Sequence, residues 1–259
     1  MELRGWDYTG RNIGPELHKQ FKIMVDCLSD SIFVGSLTWG NPLQEKIAPK
    51  IGVSSSGAVR TVKKMCDNFG FFTPLALSSR EKIVSDSLLT KRGKIVYQAA
   101  TLEIQITSSS NLDDTIKKKA LSEIKHLYEE AYCDALIDYH FENPDGTLFY
   151  PLRATVKALR KYKKMDKWEW YLLNTFIRHN DNLSEESLLD EYIKKYRDGF
   201  YTFTMENVIE KPKGHQYTPQ YFEFAGLVHV VQRPEWSITD SDNHSQIKDK
   251  VLLIEYKNV

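Results

Sequence analysis

Pro42-Leu43-Gln44-Glu45-Lys46-Ile47-Ala48-Pro49-Lys50-Ile51, then Gly52-Val53, then Ser54-Ser55-Ser56-Gly57-Ala58-Val59-Arg60-Thr61-Val62-Lys63-Lys64-Met65, spells a helix, a tight turn and a second helix. Ser54 is expected to cap the second helix, its hydroxyl accepting an orphan backbone N–H of the first turn. Ala58, Val62, Cys66 and Phe69 recur at helical spacing, as do Val59 and Met65, so one face is apolar and packs on the first helix. The other face carries Ser55, Ser56, Arg60, Lys63 and Lys64. Small hydroxyls at the start of a helix with cations behind them suit entry into a major groove.

Working outward, Gly70 closes the second helix and Phe71-Phe72-Thr73 opens a two-strand segment. Leu88-Leu89-Thr90-Lys91-Arg92-Gly93-Lys94 then leads into another helix. Helix, turn, helix and β-hairpin are the parts of a winged helix-turn-helix. The second half has a similar order without repeating the sequence. Leu152, Val156 and Leu159 mark one helix, Trp168, Leu172 and Phe176 a second, and Leu188, Leu189, Tyr192, Ile193 and Tyr196 a third, starting near Leu183. Thr218 is expected to cap a further helix through Phe224. Gly226–Gln232 and Val251–Lys257 are expected strands, separated by a polar loop from Arg233 to Asp249.

The expected fold is therefore mainly α with short β-hairpins, in two winged helix-turn-helix subdomains. Residues 1–14 form an irregular N-terminal arm and 15–111 the first subdomain. Residues 112–145 hold a long connecting helix and a turn at Asn143-Pro144-Asp145-Gly146, and 146–259 the second subdomain.

The charge is sorted along the chain. Thirty-five Lys and Arg balance thirty-five Asp and Glu, so the net charge is zero. Lys46 to Lys94 nevertheless holds ten basic and three acidic residues, and Pro151 to Arg178 eight and two. Glu103 to Asp145 inverts this with ten acidic and four basic residues, and Asp181 to Glu210 with eight and three. Such blocks fit two basic surfaces that approach phosphates, with scaffold between them.

The candidate base-reading residues are Ser54, Ser55, Ser56, Arg60, Lys63 and Lys64 in the first subdomain. His215, Gln216, Thr218 and Gln220 are the candidates in the second. Phosphate contact is expected from Lys91, Arg92, Lys94, Arg153, Lys157, Arg160, Lys161, Lys163, Lys164, Lys211 and Lys213. Arg4 and Arg11 are placed on an arm suited to a minor groove. Together these predict a protein that reads double-stranded DNA.

Trp6 with Arg11-Asn12, the run Leu89-Thr90-x-x-Gly93, and the helix pair Trp168–Arg178 and Ser184–Arg197 resemble the DNA-recognition region of type IIS restriction and nicking endonucleases, the AlwI-like and FokI-like enzymes. The resemblance spans most of the chain. It implies tandem winged-helix subdomains on a short asymmetric site, with hydrolysis left to a fused or separate PD-(D/E)XK nuclease domain. Mg²⁺ is then expected only for that cleavage domain, and this chain needs no cofactor of its own. The implied setting is a monomer in a bacterial cytoplasm.

Three other readings stay open. Asp242 with Glu255 and Lys257 on an apolar strand has the form of a Mg²⁺ nuclease site, which would make the chain a complete enzyme. Such a site needs flanking structure after the lysine, where only Asn258 and Val259 follow. A winged-helix transcriptional regulator would instead favour a symmetric target and a homodimer. A helical protein-interaction module would show no salt-sensitive DNA affinity. No phosphate-binding glycine loop, no paired histidines and no CxxC occur, and Cys27, Cys66 and Cys133 are expected as buried free thiols. No apolar run is long enough to cross a bilayer.

Overall fold

The computed structural model describes residues 1–6, 11–210, 212–231 and 237–240. They are mainly helical with a few short strands. The chain divides into two compact units: Arg11–Ala135, called the first, and Met1–Gly10 with Leu136–Val259, called the second. The boundary expected at the 143–146 turn thus falls earlier, near the end of a long helix.

In the first unit, α1 (Pro15–Ser29) has a proline in its opening turn and buries Leu17, Phe21, Met24 and Leu28, one stripe at helical spacing. The short α2 (Ser31–Val34) is capped by the Asp30 carboxylate, which accepts from the Ile32 and Phe33 N–H groups. Next come α3 (Asn41–Ile47) and α4 (Ser56–Asn68). The ladder of α3 stops short of the expected Ile51 because Pro49 has no N–H to donate; residues 48–51 continue as turns. At the far end of α4, Gly70 adopts φ 63° while the N–H groups of Gly70 and Phe71 satisfy the carbonyls of Asp67 and Cys66.

The expected hairpin after Gly70 is not a regular ladder. Two isolated antiparallel bridges, Thr38 with Lys82 and Phe72 with Leu89, tie the segment down. Pro74 and Leu75, at φ 65°, break the extended backbone between them. The unit continues with α5 (Lys91–Ser108) and the 25-residue α6 (Asp114–Asp138). Phe21, Phe69, Phe71, Phe72 and Tyr132 form its aromatic core, with ring centroids 4.9 to 5.7 Å apart.

The second unit begins at the amino terminus. There β1 (Leu3–Arg4) precedes Trp6, and Leu3 and Trp6 are 0% and 2% exposed. After α6 follow β2 (Phe141–Glu142) and β3 (Leu148–Phe149), a hairpin whose turn is held by Asp145 accepting from the N–H and hydroxyl of Thr147. Then come α7 (Pro151–Tyr162), β4 (Lys164–Asp166), α8 (Lys167–Phe176), α9 (Leu183–Arg197), β5 (Val208–Glu210), α10 (Pro212–Phe224), β6 (Val228–Val231) and β7 (Ser237–Asp240). An antiparallel sheet in the order β4-β7-β6 closes the unit, with Met165 opposite Ile238 and Val230 on the other side of Ile238.

Two expectations change here. Residues 1–6 are not an irregular arm: β1 pairs in parallel with β5, and Trp6 lies 5.1 Å from the Phe149 ring and 5.4 Å from Trp170. Its indole N–H donates to the Ile177 carbonyl at 3.0 Å. Apolar burial of two large side chains outweighs the freedom of a short terminus. The 233–249 segment is not all loop either, since β7 lies within it. The strand expected at Val251–Lys257, with Asp242, Glu255 and Lys257, lies outside the described residues. Among the described residues no helix is long and apolar enough to cross a membrane.

Candidate nucleic-acid interface

The face of α4 opposite its core is built as the alternation of its residues dictates. Val59, Val62, Met65 and Cys66 are buried, while Ser54, Ser55, Arg60 and Lys64 are exposed and Ser56 and Lys63 are half-buried. The cap is Ser55 rather than Ser54: its Oγ accepts from the Ala58 N–H at 3.3 Å. One residue later in the chain, the helix begins with Ser56-Gly57, which leaves its first turn small and open. Arg60 donates from Nη1 to Asn41 Oδ1 at 3.1 Å, joining α4 to the first residue of α3. Lys63 instead pairs with Asp67 at 2.6 Å. Burial raises the Asp67 carboxyl above its usual range against the pull of that lysine. Of the three cations expected on this helix, Arg60 and Lys64 have no carboxylate paired with them among the described residues.

At the start of α5 the expected cations divide. Lys91 and Lys94 are exposed. Arg92 is half-buried and acts as a brace: it donates to the carbonyls of Phe69 at 3.3 Å and Asp134 at 3.0 Å. The turn itself is dense with contacts. Thr90 caps α5 by accepting from the Gly93 N–H at 3.0 Å and donates from its hydroxyl to the Gly70 carbonyl at 2.7 Å. A Cβ at Gly93 would stand 2.0 Å from the Phe71 carbonyl oxygen. The Leu89-Thr90-x-x-Gly93 run is therefore a docking device for α5. Two further exposed cations, Arg80 and Lys82, lie in the segment between Phe72 and Leu89, Lys82 being the bridge partner of Thr38; the basic block of the sequence includes them without singling them out.

In the second unit the basic helix α7 is largely answered by acids. Lys157 pairs with Glu186 at 2.7 Å and lies 3.7 Å from Asp181, and Lys161 pairs with Asp190. Leu152, Leu159 and their neighbours turn one face of α7 inward, so its lysines emerge beside the acidic first turns of α9. The expected phosphate-binding surface is thus a ladder of ion pairs. Arg153 stacks on the Tyr150 ring at 3.9 Å, and Arg160 is half-buried. Lys163 terminates α7 at φ 70°, while Lys164 is exposed in β4.

Near this ladder, His179 is clamped between Glu185, 2.6 Å from Nδ1, and Asp145, 3.4 Å from Nε2. The bond to Glu185 raises its pKa above the usual imidazole value, and Asp145 adds to the effect. Glu185 also accepts from the N–H groups of Arg178 and His179, and so gathers the 178–185 loop onto α9.

The remaining candidates are scattered. Arg4 pairs with Glu2 at 3.4 Å on a strand edge, not on a free arm. Arg11 donates to Gln20 at 2.5 Å. Thr218 does not begin α10: the helix starts at Pro212, and Thr218 is 2% exposed within it. Gln220 is half-buried on the same helix. The side chains of Lys211, Lys213, His215 and Gln216 lie outside what is described. Among the described residues no three His, Cys, Asp or Glu side chains are grouped to hold a metal ion. The three cysteines are buried free thiols, and burial pushes the Cys66 thiol well up. No family model matches the chain, nor does any curated protein or solved structure.

Proposed function

We propose that this chain reads a short asymmetric sequence in double-stranded DNA, with α4 entering a major groove. The observation that carries the reading is the α4 surface: a capped helix start with small residues at Ser54, Ser55 and Gly57, followed one turn on by exposed Arg60 and Lys64. A helix whose first turns are small and whose next turn is cationic can approach base edges and then hold phosphates. The loop after α4, tied at its base by the Phe72–Leu89 bridge, supports reading the first unit as a winged helix-turn-helix with a reduced wing. In the second unit, α10 followed by the β6–β7 hairpin supports a second winged subdomain.

The two units have different helices, different sheets and different exposed charges, which favours a monomer on an asymmetric site over a symmetric dimer on a palindrome. On this reading the chain is the recognition part of a type II restriction endonuclease. Cleavage belongs to a fused or separate PD-(D/E)XK domain that uses Mg²⁺.

The test is selection of bound duplexes from a random pool at moderate salt, with Mg²⁺ present and cutting monitored. Enrichment of one short asymmetric sequence without cleavage is the expected result. A palindrome would point to a regulator. Cleavage by this chain, lost in Glu255→Ala, would point to a complete nuclease. No enrichment and no salt-sensitive affinity would overturn DNA recognition altogether.

A further inference from the structure

We infer that Asn41 is a positioning residue for base recognition, holding the Arg60 guanidinium in a fixed orientation without neutralising it; this rests on the DNA-reading role proposed for α4.

Asn41 does not cap its own helix. It is the first residue of α3, one past the N-cap position at which a short polar side chain serves the helix's own orphan N–H groups. Here the N-cap is Gly40 and the helix start has no side-chain cap. Asn41 Oδ1 instead accepts from Arg60 Nη1, nineteen residues away on the neighbouring helix. Both residues are exposed, so the bond is not the rescue of a buried donor.

The second step concerns charge. Four cations elsewhere in the protein are held by carboxylates: Lys63 by Asp67, Lys157 by Glu186, Lys161 by Asp190 and Arg197 by Glu169. Arg60 is held by an amide. A neutral acceptor fixes the plane of a guanidinium while leaving its full positive charge to attract an electronegative partner.

The third step is access. Arg60 Nη2 lies against Gly57 at the first turn of α4. The place a Cβ of residue 57 would occupy is 3.7 Å from Nη2 and 3.7 Å from Ser55 Oγ. No side chain at residue 57 covers that side of the fork. A planar donor pair with Nη1 anchored and no side chain at residue 57 beside Nη2 suits the N7 and O6 acceptors of a guanine. Pre-ordering the arginine also reduces the side-chain entropy lost on binding.

The experiment compares wild type, Arg60→Ala, Asn41→Ala and Asn41→Asp in the duplex selection, with affinities then measured on the enriched site and its single-base variants. Wild type should prefer G·C at one position by roughly 5- to 100-fold. Arg60→Ala should erase that preference, and Asn41→Ala should erase most of it at the same position while leaving the other positions enriched. Asn41→Asp should weaken binding to all duplexes, because its carboxylate cancels the arginine charge. A purely structural loss would lower affinity for every sequence alike and shift the melting temperature of Asn41→Ala. Retention by Asn41→Ala of the preference that Arg60→Ala removes would overturn the positioning role. Enrichment by wild type that Arg60→Ala leaves intact would also overturn it, with DNA reading still standing. No enrichment by wild type would remove both.

Discussion

Gly93 sits where any larger residue collides. Its missing Cβ would stand 2.0 Å from the Phe71 carbonyl oxygen, and that oxygen also accepts from the Thr90 N–H. Backbone cannot yield as a flexible side chain can, so Gly93→Ala is expected to destabilise the first unit by at least the ~1–3 kcal/mol typical of overpacking. A melting temperature within a degree of wild type would contradict this close approach. Two histidines give a residue-scale test in pH. His18 is 1% exposed, stacked 3.7 Å from the Tyr128 ring, with Nδ1 3.5 Å from Glu103. Burial lowers its pKa despite that carboxylate. An imidazole that resists protonation when folded contributes stability fully above pH 6.5 and loses it as pH falls below that value. His179 has the opposite sign. Its raised pKa makes the clamp's contribution full below pH 6.5 and lost as pH climbs through the raised value. Protection factors, with the pH dependence of intrinsic amide exchange divided out, should therefore fall in α1 on acidification and in the 178–185 loop on mild alkalinisation. The same direction in both segments would refute the assignment.

At the scale of elements, periodicity made most helices legible. The stripes Leu17-Phe21-Met24-Leu28 and Val59-Val62-Cys66 are visible in the chain and are buried in the fold. Legibility failed where two signals competed. Thr218-Pro219 has the form of a helix start, a capping hydroxyl before a first-turn proline, yet Pro212, seven residues before Pro219, opens the helix and the helix runs through. The amino-terminal residues looked like a tail because their partners are distant: Trp6 meets Asn174 and Ile177 across 168 and 171 residues. No local pattern encodes such a contact. The candidate site was legible in part for the same reason. Arg60 and Lys64 follow from helical spacing, but Asn41 as a partner of Arg60, and the acids answering Lys157 and Lys161, depend on tertiary packing. Trp6→Ala should cost the second unit about 3–5 kcal/mol, as loss of a large buried aromatic does. Hydrogen exchange would register that loss in α8 and leave α4 protected; uniform deprotection of both units would count against their division.

For the whole molecule, zero net charge conceals an uneven electrostatic surface. The lysines of α7 are half-exposed but paired with α9. If they reach phosphate only after release, Glu186→Gln with Asp190→Asn should raise DNA affinity. It should also steepen the plot of log affinity against log salt by roughly 1.8, two further phosphate contacts at about 0.9 each. An unchanged slope would leave α7 out of the interface. The parallel pairing of β1 with β5 has a consequence for how the protein is made. Residues 1–6 have nowhere to fold until the strand near Val208 and the helix carrying Asn174 have been translated. At about 5–20 residues per second, Leu3 and Trp6 wait roughly 10–40 s with their apolar surfaces in water. During that interval residues 11–135 can already close on themselves. Residues 1–6 are thus made long before their native partners, and a chaperone that shields them would act within that interval.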